Sequence, residues 1–387
     1  MILRGASMAL GPTDAARLDV GIEGGQVRLR PRSAAGPDLD ASGLLILPGL
    51  INAHDHLEFN LFPRLGSGPY ANATAWAKDI YRPHEPPVRE HLKLAKHFRL
   101  LWGGIKNLLS GVTSVLHHNP YEPVFDAGFP VRVIRRFGWS HSLSFSRDVK
   151  ADWARTPREA PFLIHAGEGT DSCAADEVYR LDAAGVLGPS TVLVHGVALE
   201  QSGLELLRKR RSSLVWCPSS NHFTLGRTLS REALDSGIPI ALGTDSALTA
   251  AGDLIDEIEV ARRDVRAVRL YGMLTDVAAR VLRLRDGEGT ISDGGVSDLL
   301  LVRDRGIEPA HALLQIDPEA VFVGGRIKLA SLRFAERLPA PLRKNLQPLR
   351  IEGRGEWLID CDVSMLLDAC HLALGKDFRL AGKAVAA

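Results

Sequence analysis

Several features are scarce in this 387-residue sequence, and each absence excludes a class of protein. Four cysteines occur, none of them in a CxxC pair, which argues against a disulfide-built extracellular fold. We therefore expect a cytoplasmic protein. Lysine and arginine number 47 against 46 acidic residues, and no long run of one sign offers a surface for nucleic acid.

Long apolar runs are also missing. The longest, around residues 44–53, is interrupted by Pro48 and Gly49 and is shorter than the roughly 18 residues of a membrane-spanning helix. The first residues, MILRGASMALGPTD, lack the apolar stretch of a secretory signal, so we expect no signal peptide. We predict neither a membrane nor a nucleic-acid partner, and whether the chain forms a homo-oligomer stays open.

Between about residues 44 and 284, short branched apolar runs alternate with helix-like segments, as in a parallel sheet with crossover helices. Strands are predicted at 44–52, 113–117, 131–137, 161–165, 191–195, 213–217 and 238–244, and helices at 89–109, 172–184, 199–210, 230–236 and 254–269. Seven such strands favour an α/β fold of the (β/α)₈ TIM-barrel type, with a doubly wound open sheet as the alternative. Only 23 residues separate residues 137 and 161, which predicts an irregular region around strands three and four, with a strand at 140–145 and a helix near 151–159.

The two ends of the chain have a different pattern. Residues 1–43 and 287–330 combine Gly and Pro with short alternating runs, which is typical of antiparallel strands. Neither end has enough strands for its own core, so we predict one small composite β-sandwich domain, 1–46 and 285–387, beside a barrel domain at 47–284. Strands at 349–353 and 357–360 and a helix at 363–373 would continue the C-terminal part.

Histidines at predicted strand ends are the most informative feature of the sequence. His54 and His56 end the run GLLILPGLINAHDH, and residues at i and i+2 of a strand share one face while Asp55 points away. Two further strands end in His165 and His195. In a β/α barrel this end of the strands carries the active site.

A carboxylate completes the pattern, because the strand IALGTD ends in Asp245. Imidazole nitrogens with one carboxylate suit Zn²⁺, with Fe²⁺ or Mn²⁺ as alternatives, and such an ion activates water as a nucleophile. Glu168 follows His165 by three residues, so it lies above the same site. A carboxylic acid there can relay a proton from water to a leaving nitrogen.

These motifs resemble those of the amidohydrolase superfamily. The pieces that carry the resemblance are LPGLINAHDH, GVTSV, IHAGEG, VLVHG, VWCPSSN and ALGTDS, in this order, with DGGVSDLLLV at the return to the sandwich. The HxxE after strand five and CPSSN after strand seven are similar to the branch of cytosine, guanine and S-adenosylhomocysteine deaminases and triazine hydrolases. The last fifty or so residues resemble nothing in that family.

The resemblance implies a (β/α)₈ barrel and one metal ion held by His54, His56, His165 and Asp245. It implies that His195 is a fourth nitrogen ligand or polarises the substrate, that Glu168 relays protons, and that Asp245 also accepts a proton from the attacking water. The implied activity is hydrolysis of a non-peptide C–N bond, with deamination of a small heterocyclic amidine preferred.

Two other functions stay open from the sequence. A cyclic-amide hydrolase would open a lactam, hydantoin or imidazolone ring, and its two-metal form uses a carboxylated lysine, for which Lys150 is the one candidate between Asn107 and Ala160. A catalytically inactive binding relative is the other, although every ligand residue is retained. Family members also carry HLAE or HAAE more often, where this chain has Gly167.

Substrate contacts are expected in loops that follow the strands. The long segment 58–87 is predicted to form a lid, with Phe62, Arg64, Tyr70 and Trp76 able to stack on or pair with a planar ring. Further candidates lie after strands two, three and seven: His118, Arg135, His141 and His222.

Overall fold

The computed structural model describes residues 1–31, 36–126 and 128–386. Residues 32–35 and 387, which belong to the predicted composite domain, and residue 127 lie outside the described part. No helix in the described ranges is both long and apolar enough to span a membrane.

Short strands dominate both ends of the chain. In chain order they are β1 (Ile2–Arg4), β2 (Ser7–Ala9), β3 (Ala15–Arg17), β4 (Val20–Glu23), β5 (Gln26–Leu29), β6 (Asp38–Asp40), β7 (Leu44–Pro48), β8 (Leu50–Asp55), β9 (Val112–His117), β10 (Arg132–Val133), β11 (Gly138–Ser142), β12 (Phe162–Ala166), β13 (Thr191–His195), β14 (Ser213–Trp216), β15 (Ile240–Leu242), β16 (Leu299–Arg303), β17 (Ala320–Val323), β18 (Arg326–Ser331), β19 (Gln347–Ile351), β20 (Gly355–Ile359), β21 (Arg379–Leu380) and β22 (Lys383–Ala386).

Most helices lie between the parallel strands. They are α1 (Ala73–Ile80), α2 (Val88–Lys93), α3 (Lys96–Leu109), α4 (Val149–Arg155), α5 (Ser172–Ala183), α6 (Gln201–Arg210), α7 (Pro218–Leu225), α8 (Arg231–Asp235), α9 (Leu254–Ala261), α10 (Ala267–Leu274), α11 (Asp276–Val281), α12 (Pro309–Leu313), α13 (Leu332–Glu336), α14 (Ala340–Arg343) and α15 (Val363–Leu374). Two short 3₁₀ helices cover Leu57–Phe59 and Pro123–Phe125.

Eight strands run parallel in two sheets. The first has the order β10-β9-β8 and the second the order β11-β12-β13-β14-β15. The sheets meet between β8 and the end of β15, where the backbone N–H groups of Thr244 and Asp245 donate to the His54 carbonyl at 3.0 and 3.1 Å. This succession of strands and helices is a TIM-barrel-type α/β fold.

The predicted strand 44–52 is two strands. β7 pairs antiparallel with β16, and β8 pairs parallel with β9, so the chain passes from one sheet to another at Gly49. A Cβ atom at Gly49 would lie 2.3 Å from the Thr113 side chain, so only glycine allows this close passage. The break was not predicted because apolar residues lie on both sides of it and both strands are buried.

Two predicted helices are also interrupted. The segment 89–109 is α2 and α3, separated at Leu94, whose freed carbonyl accepts a hydrogen bond from the Arg99 side chain at 3.2 Å. The segment 254–269 is α9 and α10, with the charged stretch RRDVR between them. Apolar periodicity continues across each break, which is why the sequence predicted one helix in each case. At the irregular side, β10 has two residues and β11 begins at Gly138, earlier than predicted.

The two chain ends meet in a ten-stranded sheet with the order β21-β22-β19-β20-β18-β17-β16-β7-β2-β3. Other strands of the N-terminal part form a four-stranded sheet with the order β5-β4-β1-β6. Residues after 331 extend the larger sheet, since β20 pairs with β18 and β19 with β20. The division at 46/47 and 284/285 stays a prediction.

A small apolar cluster fills the space between the parallel strands. It includes Ile51 and Ala53 of β8, Leu163 of β12, and Val192 and Val194 of β13, all at most 1% exposed. The candidate site residues lie at the carboxyl ends of the same strands.

Candidate metal centre

The HDH sequence lies at the end of β8, where the ring centroids of His54 and His56 are 4.9 Å apart. Simple alternation would place His54 opposite Ala53, which faces the apolar cluster. The pairing of β8 with β9 shifts register between Asn52 and Asp55, and this irregularity turns His54 towards the other histidines. Asp55 points away, as predicted, and its Oδ2 lies 2.8 Å from Lys106 Nζ.

The other strand-end residues come to the same place. His165 Nε2 is 3.2 Å from His54 Nε2, and Asp245 Oδ1 is 3.8 Å from the Nε2 atoms of both His54 and His56. Two sets of ligand atoms, one from each residue, lie within 4.8 Å of one another: His54, His56 and His165, and His54, His195 and Asp245. All five residues are at most 9% exposed.

The backbone is strained at two of these residues. His195 has φ +78° and Asp245 has φ +58°, in the left-handed region that side chains other than glycine rarely adopt. Val192 and Val194 already face the apolar cluster, so a regular strand would turn His195 outwards. The left-handed backbone of His195 breaks this alternation, so its side chain need not point outwards. Such backbone strain is common at functional sites.

Hydrogen bonds determine which nitrogen of two rings is free. His165 Nδ1 donates to the His141 carbonyl at 2.7 Å, and His195 Nδ1 donates to Asn221 Oδ1 at 2.7 Å. Each Nε2 atom then presents a lone pair, and His195 Nε2 is buried without a hydrogen-bond partner among the described residues. Burial lowers the pKa of His54 and His165 well below the usual range, so these rings are neutral and available as ligands.

Neutral imidazoles that direct lone pairs at one another across 3.2 Å, with a carboxylate beside them, are a ligand set that suits a divalent metal ion. The contacts around Asp245 agree with this. Its Oδ2 accepts from the hydroxyls of Ser220 at 2.7 Å and Thr249 at 3.0 Å, while its Oδ1 accepts from the Ser246 N–H and faces the histidines.

The segment CPSSN supplies two of the side chains that hydrogen-bond to candidate ligands. Ser220 holds Asp245 and Asn221 holds His195, both from the first turn of α7. Ser219 anchors that turn, because its N–H donates to Glu257 Oε1 at 2.8 Å and its hydroxyl to Glu257 Oε2. Burial raises the pKa of Glu257 to about 8. Sequence reasoning recognised CPSSN as a motif but assigned no role to these side chains.

Glu168 lies beside the ligands, as its position after β12 predicts. Its Oε1 is 3.5 Å from His195 Nε2. Burial, and to a smaller extent the nearby Asp245 and Glu177 carboxyls, raise its pKa to about 7, so protonated and ionised forms coexist at neutral pH. Gly167, at φ +65°, donates its N–H to Glu177 Oε2 at 2.8 Å. A residue other than glycine would be strained there.

The segment 58–87 crosses the loops after three strands, in agreement with the expected lid. Backbone hydrogen bonds join Ala73 N to Glu168 O at 3.0 Å, Tyr70 N to Thr224 O at 2.7 Å, and Leu65 N to Leu248 O at 2.9 Å. The described structure therefore shows this segment attached over the end of the barrel that carries the histidines.

Six of the eight predicted substrate-contact residues illustrate their different environments. Phe62 is 3% exposed and packs against His91, with ring centroids 4.7 Å apart, and Trp76 Nε1 donates to the Leu65 carbonyl at 3.0 Å. Arg135 is exposed and pairs with Asp126 at 2.8 Å, which places it away from the cluster.

Three histidines complete that set. His141 is adjacent to the centre, with its ring centroid 4.7 Å from that of His165, and it also lines a groove of about 450 Å³ between β11 and α4. His222 is exposed on α7. His118 is fully buried, and both of its ring nitrogens have partners, so the structure gives it no free polar atom for a substrate.

Lys150, the candidate bridging lysine, is exposed on α4. It does not end a parallel strand. This position gives no support to a second metal ion held by a modified lysine.

Comparison with known proteins identifies the class to which this centre belongs. Residues 160–328, which include His165, Glu168, His195 and Asp245, match the amidohydrolase family. This confirms the resemblance seen in the sequence and the expected class, a hydrolase of non-peptide C–N bonds.

Similar proteins include the 5-methylthioadenosine/S-adenosylhomocysteine deaminase of Syntrophobacter fumaroxidans, 25% identical over 366 residues that cover 78% of each chain. Among solved structures, a zinc-bound adenosine deaminase from Xanthomonas campestris aligns with a TM-score of 0.70 and 17% identity over 96% of this chain and 97% of that one. A zinc complex of atrazine chlorohydrolase from Arthrobacter aurescens aligns with a TM-score of 0.64 and 15% identity, covering 84% and 94%. At these identities the structural matches establish the fold.

Proposed function

We propose that this chain is a metal-dependent hydrolase that binds one divalent metal ion, Zn²⁺, and deaminates a small heterocyclic amidine, with an adenine nucleoside as the substrate class. The observation that carries the proposal is Glu168, a carboxyl group with a pKa of about 7 that lies 3.5 Å from His195 beside the ligand cluster. The relatives named as deaminases of adenine nucleosides support the choice of ring. We also propose that the eight parallel strands form one closed barrel, with the composite sandwich beside it.

His54, His56, His165 and Asp245 would hold the ion. His195 is assigned as a further nitrogen ligand, because Asn221 fixes its hydrogen on Nδ1 and leaves Nε2 bare towards the centre. When bound, a divalent ion supplies the Lewis acidity that brings the pKa of a water molecule towards neutrality.

The residues of the chain divide the proton transfers between them. Asp245, held by the Ser220 and Thr249 hydroxyls, accepts one proton from the attacking water through the Oδ1 atom that faces the histidines. Glu168 accepts a proton and passes it to the exocyclic nitrogen. Water adds to the ring carbon, and the C–N bond breaks. Through these two carboxylates, one proton of the water ends on the exocyclic nitrogen, which leaves as ammonia, and the other ends on the adjacent ring nitrogen. The products are a ring carbonyl beside a ring N–H, and ammonia, and both carboxylates return to their starting protonation states.

An ammonia-release screen of the zinc-loaded protein over purine nucleosides, pyrimidines, pterins and triazines tests the proposal. We expect release from at least one adenine nucleoside. Ring opening of a lactam or hydantoin without any ammonia release would refute deamination. The hydantoinase-type alternative also predicts two metal ions per chain, for which the exposed position of Lys150 provides no support.

A further inference from the structure

The side chain of His118, the residue that follows β9, contacts both β8 and β11 beside the candidate metal centre. Its Nδ1 lies 3.3 Å from His54 Nδ1, and its Nε2 lies 3.2 Å from the carbonyl oxygen of Ser140 in β11. The side chain is completely buried, as is His54. Trp139 packs against the His118 ring at a centroid distance of 5.6 Å, nearly perpendicular to it. The ring is therefore fixed between β8 and β11.

These contacts determine where the hydrogens lie. A carbonyl oxygen only accepts, so His118 Nε2 donates to Ser140 and carries the ring's one hydrogen. Its Nδ1 then has a lone pair and accepts the hydrogen of His54 Nδ1. A second hydrogen on either ring would place an uncompensated charge among buried histidines.

The same reasoning fixes the free atom of His54. With its hydrogen on Nδ1, its Nε2 is bare, and this is the atom 3.2 Å from His165 Nε2 and 3.8 Å from Asp245 Oδ1. The lone pair of His54 therefore points at the other ligand atoms because His118 accepts on the opposite side of the ring.

We propose that His118 is a positioning residue of the metal centre, which holds His54 in the tautomer and orientation that binds the ion and whose own tautomer is fixed by the Ser140 carbonyl. This role differs from the substrate contact that the sequence suggested for His118. It concerns metal binding, so it holds whichever substrate the protein hydrolyses.

An isosteric pair of variants isolates the hydrogen-bond acceptor. Asn and Leu have nearly the same shape, but His118→Asn offers an amide oxygen to His54 Nδ1 and His118→Leu offers none. The measurement is the zinc dissociation constant, from competition between zinc-loaded protein and a chromophoric chelator, with circular dichroism to verify folding. His117→Leu is the matched control, because His117 is 1% exposed and neighbours His118, but its Nδ1 accepts from the Leu57 N–H and it has no hydrogen bond to His54 among the described residues.

Loss of a group that orients a metal ligand typically weakens metal binding about 10–100-fold. We expect a weakening in this range for His118→Leu, with His118→Asn and His117→Leu within about 3-fold of the parent. Equal weakening by His118→Asn and His118→Leu would overturn the proposal, as would unchanged binding in His118→Leu or an equal loss in the control. If His118→Leu does not fold, a zinc affinity of His118→Asn lowered about 10-fold or more would also overturn it, and parent-like affinity would support it.

Discussion

Two charged clusters connect distant parts of this chain, and they differ in how completely they are buried. Beneath the histidines, Lys106 Nζ lies 2.8 Å from Asp55 Oδ2, with side-chain exposures of 1% and 0%. The lysine also donates to Asn60 Oδ1 and Thr244 Oγ1, both at 3.1 Å, and Asn107 donates to Asp55 at 2.8 Å. Every charged atom of this cluster has a polar partner.

The second cluster joins the C-terminal strands to the start of α9. Arg354 lies 2.8 Å from Asp253 and 2.9 Å from Asp256, and Lys383 contacts the same two acids. The side chains are 9–30% exposed, and Arg354 Nε has no hydrogen-bond partner among the described residues. Water can therefore take over part of these interactions if one partner is removed.

The difference in burial indicates that loss of a partner destabilises the fold more in the buried cluster than in the peripheral one. Asp55 is the residue between the two histidines of HDH, and Thr244 precedes Asp245, so the buried cluster fixes two ligand-bearing segments against α3. The peripheral cluster, formed by Arg354, Lys383, Asp253 and Asp256, attaches the C-terminal strands of the ten-stranded sheet to α9.

Replacement of Glu168 by Gln tests chemistry with no change in either cluster. We expect kcat to fall about 10³-fold or more, because glutamine cannot relay a proton, with the metal content near one ion per chain and the melting temperature unchanged. Ammonia release and elemental analysis on the same sample measure both. Unchanged turnover would exclude the proton relay.

Replacement of Lys106 by Met tests the buried cluster. It leaves Asp55 charged and buried without its partner, so we expect the free energy of unfolding to fall by about 3–5 kcal/mol. Urea denaturation of the zinc-loaded protein provides the measurement. A loss below about 1 kcal/mol would remove the distinction between the two clusters.

Replacement of Asn221 by Leu tests the hydrogen bond that orients His195, and its expected effect is smaller than that of the two replacements above. His195 Nδ1–H would lose its acceptor while the shape of the side chain is kept, so we expect kcat/KM to fall about 10–100-fold. Exposed Gln201 on α6, changed to Leu, is the control. Wild-type kinetics in Asn221→Leu would show that the orientation of His195 does not matter.

Replacement of Lys383 by Met tests the peripheral cluster. Arg354 stays in contact with both acids, so we expect the free energy of unfolding to fall by no more than about 1 kcal/mol, with kcat unchanged. The same urea titration as for Lys106→Met applies. A loss of several kcal/mol, or a fall in kcat, would show that the C-terminal sheet supports the centre directly.

The sequence predicted that the strand-end residues lie near one another, because a ligand-type residue at the end of an apolar run is a local signal. His54, His56, His165, His195, Asp245 and Glu168 lie together in the structure, and β13 has the predicted bounds. The passage between sheets at Gly49 and the breaks in two helices were not predicted. Pro48 and Gly49 interrupt the apolar run, but a local interruption does not show that the two halves pair in different sheets, and apolar periodicity resumes after each helix break.

The residues that hold the candidate ligands in place could not be predicted from the sequence. Each of these contacts joins two residues that are distant in the sequence. Lys106 meets Asp55 across 51 positions, and Asn221 meets His195 across 26. His118 was recognised as a polar residue near the site, but its partner on β11 depends on the least regular strands of the fold. Residue type identifies such side chains as candidates, and only the fold assigns their partners.

A zinc-edge anomalous diffraction experiment on crystals of zinc-loaded protein tests most directly whether one metal ion is bound by His54, His56, His165, His195 and Asp245. We predict one strong peak per chain, enclosed by the Nε2 atoms of the four histidines and Asp245 Oδ1. No peak at that position, or two peaks of similar height within the cluster, would contradict the account.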